Sequence, residues 1–322
     1  MIALAARFVP AADEVGRLQR GEDEECRLFQ RIAEQGHYAG RSEPSNTRQG
    51  IYAAAPSGVF LASINTRDAG AVADMLRRAW ERWEALPAAE RGRAPDAAPA
   101  GVPRRWEARF PEDGLVLRVV ARDVGREGAS EAGDWRAQAW NQDFAWFTAV
   151  EAEALVPAEP VAGAELPWPD ELARRLARCH LVDDVRGQVP AFRREEVERA
   201  ELLTRVVAVE GERLELAFTG TTRAAARGRW PVEGFADRAE PKAQERSLAT
   251  ELVGRATFDR TARRFTRFEL VAVGTRAGGT QFNGRGDDLA PAPIGFALTL
   301  AGATPAERVA PALIWEYGWP PP

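Results

Sequence analysis

Apolar positions recur along this chain with two different periods, and the change between them predicts its elements. Leu28, Phe29 and Ile32 stand at helical spacing behind the acidic residues 22–25, which suit the positive end of a helix dipole, and Gly36 is placed as a C-terminal stop. Val72, Met75, Leu76, Ala79, Trp80 and Trp83 mark one face of a second helix, with Asp68 positioned to cap it. Between these helices, residues 50–55 and 59–64 flank Pro56-Ser57-Gly58, which predicts a β-hairpin. Residues 2–9 are apolar enough for a short buried strand that Pro10 ends. The expected N-terminal order is strand, helix, hairpin, helix.

Further along, residues 87–104 are rich in Ala, Pro, Arg and Gly and read as a linker. Residues 115–120 look like a strand after the Asp113-Gly114 turn, and residues 123–134 like a loop. Residues 135–155 carry Trp140, Phe144, Phe147 and Val150 and are expected to be a helix. After an irregular stretch, residues 157–169, a short helix follows with Leu172, Leu176 and Ala177 on one face. From about Leu202 the period moves towards 2, so residues 205–209, 213–218, 251–258, 265–273 and 294–300 read as strands, with Gly211, Gly220, Gly274 and Gly278-Gly279 supplying turns. The fold class expected is α+β. It has a first domain over residues 1–88, a linker over 89–104, and a larger mixed domain over 105–322 that ends in an antiparallel sheet or barrel.

Composition narrows the chemistry. The chain has 322 residues, 45 % of them hydrophobic and 28 % charged, so a buried core is expected. A formal net charge of −5 lacks the electrostatic footprint of a nucleic-acid binder. No apolar run is long enough to span a bilayer, and residues 1–7 are too short for a secretory core. The chain is therefore expected to be soluble, cytoplasmic as written, or exported if it is a trimmed mature form. Lys242 is the only lysine, which leaves one side-chain amine for a Schiff base, and two histidines supply few general bases. The Rossmann fingerprint, the P-loop and GxSxG are absent, and no cofactor is implied.

The order and turns of residues 2–86 resemble a thioredoxin-like domain. Residues 3–8 stand where that family has its central strand, and residues 50–61 are similar to its later hairpin. The segments Arg7-Phe8-Val9-Pro10, Gly36-His37-Tyr38 and Thr47-Arg48-Gln49-Gly50-Ile51-Tyr52 also look like uncharacterised bacterial thioredoxin-like proteins. The resemblance implies a thioredoxin-like fold without the family's redox activity. With Phe8 on the family's active-site tryptophan, Val9 and Ala12 take the places of the two redox cysteines, and Gln49-Gly50 stands where the cis-proline would be.

The candidate chemistry is sparse. Cys26 lies near a helix start, where backbone amides favour a thiolate while the preceding carboxylates oppose it. Cys179-His180, with Cys26 and His37, supplies the only soft ligands, but their spacing matches no zinc motif and no metal is assigned. The two cysteines could form one disulfide, though spacing cannot show that they meet. Asp183-Asp184 with Arg186 could serve acid–base work or form a cap and ion pair. Residues 274–288 are Gly-rich, and Arg276, Asn283, Arg285 and Asp287 are candidate ligand-binding groups on a long loop; Arg285-Gly286-Asp287 also spells an adhesion tripeptide. Trp135, Trp140 and Trp146, and again Trp315, Tyr317 and Trp319, could be core or a stacking surface. The leading expectation is a non-catalytic binding or protein-interaction module whose partner is a protein or a small polar ligand. The alternatives are an enzyme or metal-binding protein using Cys26, His37, Cys179 and His180, with Asp183 a further catalytic candidate, and a structural envelope component.

Overall fold

The computed structural model describes residues 2–12, 15–38, 47–66, 68–92, 106–125, 135–232 and 240–321. The chain divides into two compact units, Met1–Pro103 and Arg104–Pro322. Most of the expected linker, and most of the expected loop at residues 123–134, lie outside the described residues.

The first unit contains α1 (Ile2–Ala5), α2 (Val15–Arg20), α3 (Glu24–Gln35), the antiparallel pair β1 (Ile51–Ala54) and β2 (Phe60–Ile64), α4 (Ala69–Ala85) and α5 (Ala88–Arg91). Helix starts follow local chemistry. The Asp23 carboxylate accepts from the Cys26 amide at 2.9 Å at the start of α3, and Asp68 accepts from the Ala71 amide at 2.7 Å at the start of α4. Met75 and Ala79 of α4 are fully buried against Ala53, Leu61 and Ala62 of the hairpin. The thioredoxin-like expectation fails in this unit. Its supposed central strand begins as helix α1, its sheet has two strands among the described residues, and Val9, at the position of a redox cysteine, is 96 % exposed on irregular backbone. Apolar character alone does not distinguish a short strand from a short helix, and residues 2–9 have no strand partner among the described residues.

The second unit is dominated by one antiparallel sheet, so the chain is mostly β and not the expected thioredoxin-like domain plus a mixed domain. Its strands are β3 (Leu115–Asp123), β4 (Trp140–Phe147), β5 (Glu165–Pro167), β6 (Val197–Glu210), β7 (Arg213–Trp230), β8 (Lys242–Asp259), β9 (Arg264–Ala277) and β10 (Ala292–Leu300). They lie in the order β4-β3-β10-β9-β8-β7-β6-β5, and β4 and β5 do not pair with each other, so the sheet is open and is not a closed barrel. Strict alternation sets the two faces. Leu214, Leu216 and Phe218 of β7, Leu252 and Ala256 of β8, and Phe268, Leu270 and Ala272 of β9 point into one core. The same core takes Leu172, Ala173 and Leu176 from α7 (Asp170–Cys179), which packs on β6 and β7. Each of these leucines contributes about 2 kcal/mol by burial.

Two local expectations are corrected. Residues 135–155 are not one helix: they form β4 followed by the short α6 (Ala149–Glu153), which is closed by a Thr148–Glu151 capping box. Trp140, Phe144 and Phe147 fit a helical period, yet on the strand Phe147 enters the main core, Phe144 enters a second cluster with Trp146 and Ile314, and Trp140 is 61 % exposed. Gly220 and Gly274 lie inside β7 and β9 and are not turns. A Cβ at Gly274 would run into the Ala249 carbonyl oxygen of the neighbouring strand, so glycine there permits a close approach of two backbones. Gly211 does turn the chain, with φ +59 between β6 and β7. Among the described residues, no helix is long and apolar enough to cross a membrane.

Candidate functional site

The inner face of the large sheet ends in charge. The alternation that sends Leu117, Val119 and Ala121 of β3 inward also sends Asp123 inward, and the alternation of β9 does the same for Arg276. The segment after α7 brings Asp183 and Arg186, and the β9–β10 connection brings Arg285 and Asp288. These three arginines and three aspartates form one cluster. The Arg285 guanidinium is fully buried and bidentate to two carboxylates. It donates to Asp123 at 2.8 and 2.9 Å and to Asp183 at 2.5 and 2.8 Å. Arg186 lies 3.0 Å from Asp123 and 3.1 Å from Asp288, and Arg276 lies 2.6 Å from Asp288. Burial alone would lower the pKa of Arg285, but its hydrogen bonds to Asp123 and Asp183 outweigh that and raise it above the ordinary value. With three charges of each sign among the described residues, the cluster is formally neutral there.

The sequence candidates fall unevenly around this cluster. Asp183, Arg276 and Arg285 belong to it, and Asn283 braces it by accepting from the Thr280 amide at 2.8 Å and donating to the Asp183 carbonyl at 3.5 Å. Asp287 points outward and pairs with Arg136 at 2.6 Å. Because Arg285 is buried, the adhesion tripeptide offers no arginine to a receptor. Asp123 escaped the sequence reading, although continuing the inward alternation of residues 115–121 by one step marks it. Beside the cluster, Asp184 keeps part of its surface exposed. Enclosure by protein, the Asp143 carboxylate and neighbouring Asp183 push its carboxyl up to about 7.

The soft residues do not form a common centre. Neither cysteine is in a disulfide, and they lie in different units. The Cys26 thiol is buried and donates to Asp23 at 3.2 Å. His37 shares its Nδ1 with the Ser63 hydroxyl at 2.8 Å and stacks on Tyr52, with ring centroids 5.0 Å apart. Cys179 is buried, and burial pushes its thiol up to about 12, which removes the thiolate at neutral pH. His180 is buried with Nε2 2.5 Å from the Tyr317 hydroxyl and Nδ1 3.6 Å from Asp143. The Tyr317 hydroxyl also accepts from the Trp146 amide at 3.2 Å, which ties His180 to β4. Arg175 completes this corner: it pairs with Glu151 at 2.6 Å and lies 4.4 Å from the Tyr317 ring centroid and 5.6 Å from that of Trp319. The C-terminal aromatics are thus divided, since Tyr317 and Trp319 pack on Arg175 while Trp315 is 59 % exposed. No group of three or more potential metal ligands occurs among the described residues.

The opposite face of the sheet is organised differently. Leu203, Thr219, Val253, Val271 and Ala297 stand side by side on β6, β7, β8, β9 and β10 and face away from the core. Val253 is 63 % exposed and Val271 45 %. One step along the strands to either side, Glu201 and Glu251 flank this row on one edge, and Arg205 and Arg255 on the other. Among the described residues, none of these four charged groups is in an ion pair. The chain matches no family model, no curated protein and no solved structure.

Proposed function

We propose that the chain is a non-catalytic protein-interaction module whose contact surface is the part of the outward face of β6–β9 centred on Val253 and Val271. The observation that carries this reading is the apolar row through Val253 and Val271, bordered by charges that have no ion-pair partner within the described chain. Contiguous exposed apolar groups with a polar rim are the usual composition of a protein contact. The buried cluster supports the same division of labour. Its guanidiniums and carboxylates are spent on one another, so it holds the β9–β10 connection to the end of the sheet instead of presenting charge to a ligand.

A photo-crosslinking residue placed at Val253 in the full chain tests the reading, with one at Arg227, an exposed position away from the row, as the control. The expected result is a discrete protein adduct from position 253 that is weaker or absent from position 227 and is lost when Val271→Asp is added. Equal adducts from both positions, or none from 253, contradict it.

A further inference from the structure

The two charged borders come from the same pentapeptide pattern used twice. Glu201-Leu202-Leu203-Thr204-Arg205 on β6 and Glu251-Leu252-Val253-Gly254-Arg255 on β8 are fifty positions apart and read Glu-Leu-apolar-small-Arg. On each strand the Glu, the central apolar residue and the Arg are two positions apart, so all three face outward while the intervening leucine faces the core. Strand β7 aligns the two copies. Thr221 lies between Glu201 and Glu251, Thr219 between Leu203 and Val253, and Ala217 between Arg205 and Arg255. On β6–β8 the face therefore carries an acidic line, a mostly apolar line and a basic line in parallel, into which β7 puts only small, uncharged side chains, while β9 adds Val273 to the first line and Glu269, paired with Arg267 at 2.7 Å, to the last.

Resting on the interaction reading above, we infer that the partner for this face is a second copy of the same chain. The copy is related by a two-fold axis lying along the row Leu203–Thr219–Val253–Val271. That rotation keeps each strand over its own counterpart and exchanges the two borders. Glu251 then faces Arg255 of the second copy, Arg255 faces its Glu251, and the same exchange holds for Glu201 and Arg205. The valines meet across the axis. An isologous contact requires a surface complementary to itself, and lines of opposite charge placed symmetrically about an apolar row meet that requirement. A two-fold axis along β7 would instead set Glu201 opposite Glu251 and Arg205 opposite Arg255, which disfavours that arrangement. Four strands about 4.8 Å apart and three rows about 7 Å apart give roughly 400 Å² of sheet plane. Counted over both copies that is about 800 Å², in the range of weak, transient contacts, so the association is reversible, with a dissociation constant on the order of micromolar or weaker. It also weakens with salt, because the ion pairs form its rim.

Sedimentation equilibrium of the full chain from about 1 to about 200 μM, at low and at high salt, gives the test. The parent is expected to shift from monomer to dimer across this range, with weaker association at high salt. Glu251→Arg and Arg255→Glu singly place like charges opposite each other on both sides of the axis, and each is expected to weaken dimerisation at least about tenfold. The double variant E251R/R255E restores the pairing with its signs exchanged and is expected to recover dimerisation. Circular dichroism of each variant confirms that these exposed substitutions leave the fold intact. A parent that stays monomeric throughout, single variants that dimerise like the parent, or a double variant no better than the singles overturns the inference. If the parent is monomeric while position 253 still crosslinks to a protein of different mass, self-association fails and the interaction reading stands. If position 253 yields no specific adduct as well, both fail.

Discussion

The two faces of the large sheet carry the same residue types and use them in opposite ways. On the inner face, Asp123, Asp183, Asp288, Arg186, Arg276 and Arg285 each have an ion-pair partner within the cluster, and Arg285 is wholly removed from solvent. On the outer face, Glu201, Arg205, Glu251 and Arg255 are exposed and without ion pairs among the described residues. The difference lies in the dielectric. A buried charge is tolerable only when paired, so the inner cluster must be complete within the chain. An exposed charge is hydrated at little cost and can wait for a partner from outside. The contrast separates residues that fix the fold from residues available for contact, although both sets are arginine and carboxylate.

The comparison can be broken most severely at Asp123. Asp123→Ala leaves the Arg285 and Arg186 guanidiniums facing a dry gap and is expected to cost about 3–5 kcal/mol in a urea titration of the full chain. A loss below about 1 kcal/mol would mean that water reaches the cluster and that it is not closed.

A smaller effect sharpens where the cluster ends. Asp184 sits at its rim with a carboxyl raised from 3.8 to about 7. The folded chain therefore holds this proton over a range in which the unfolded chain has lost it. The stability contributed by this group is complete below the unfolded value and falls as pH rises towards 7. Asp184→Asn removes the penalty. It is expected to be about 1–2 kcal/mol more stable than the parent at pH 8, allowing for solvent screening, with the gap closing near pH 4. A gap independent of pH would show that Asp184 ionises normally.

Much of this sheet was legible in the sequence, and the reasons are specific. Residues 205–209, 213–218, 251–258, 265–273 and 294–300 alternate cleanly because only one side of each strand meets the core, and all lie within β6–β10. Strand β4 was hidden because Trp140, Phe144 and Phe147 satisfy a helical period while both faces are buried over residues 144–147, which erases alternation there. Gly220 and Gly274 misled because glycine marks close backbone contact as well as turns. The cluster could not be read from spacing. Arg285 meets Asp183 across 102 positions and Asp123 across 162, and only the strand order brings them together. The first unit failed for the opposite reason, since its local elements are plain but its two-stranded sheet does not extend to the fold they resemble.

Place in the fold, buried in the cluster or exposed on the outer face, and not residue type, decides which arginines hold the structure together. The direct test is urea denaturation of Arg285→Met beside Arg255→Met in the same full chain, at a protein concentration low enough to keep both monomeric. Arg285→Met is expected to lose about 3 kcal/mol or more and Arg255→Met less than about 0.5 kcal/mol. Equal losses, or a larger loss at Arg255, would contradict it.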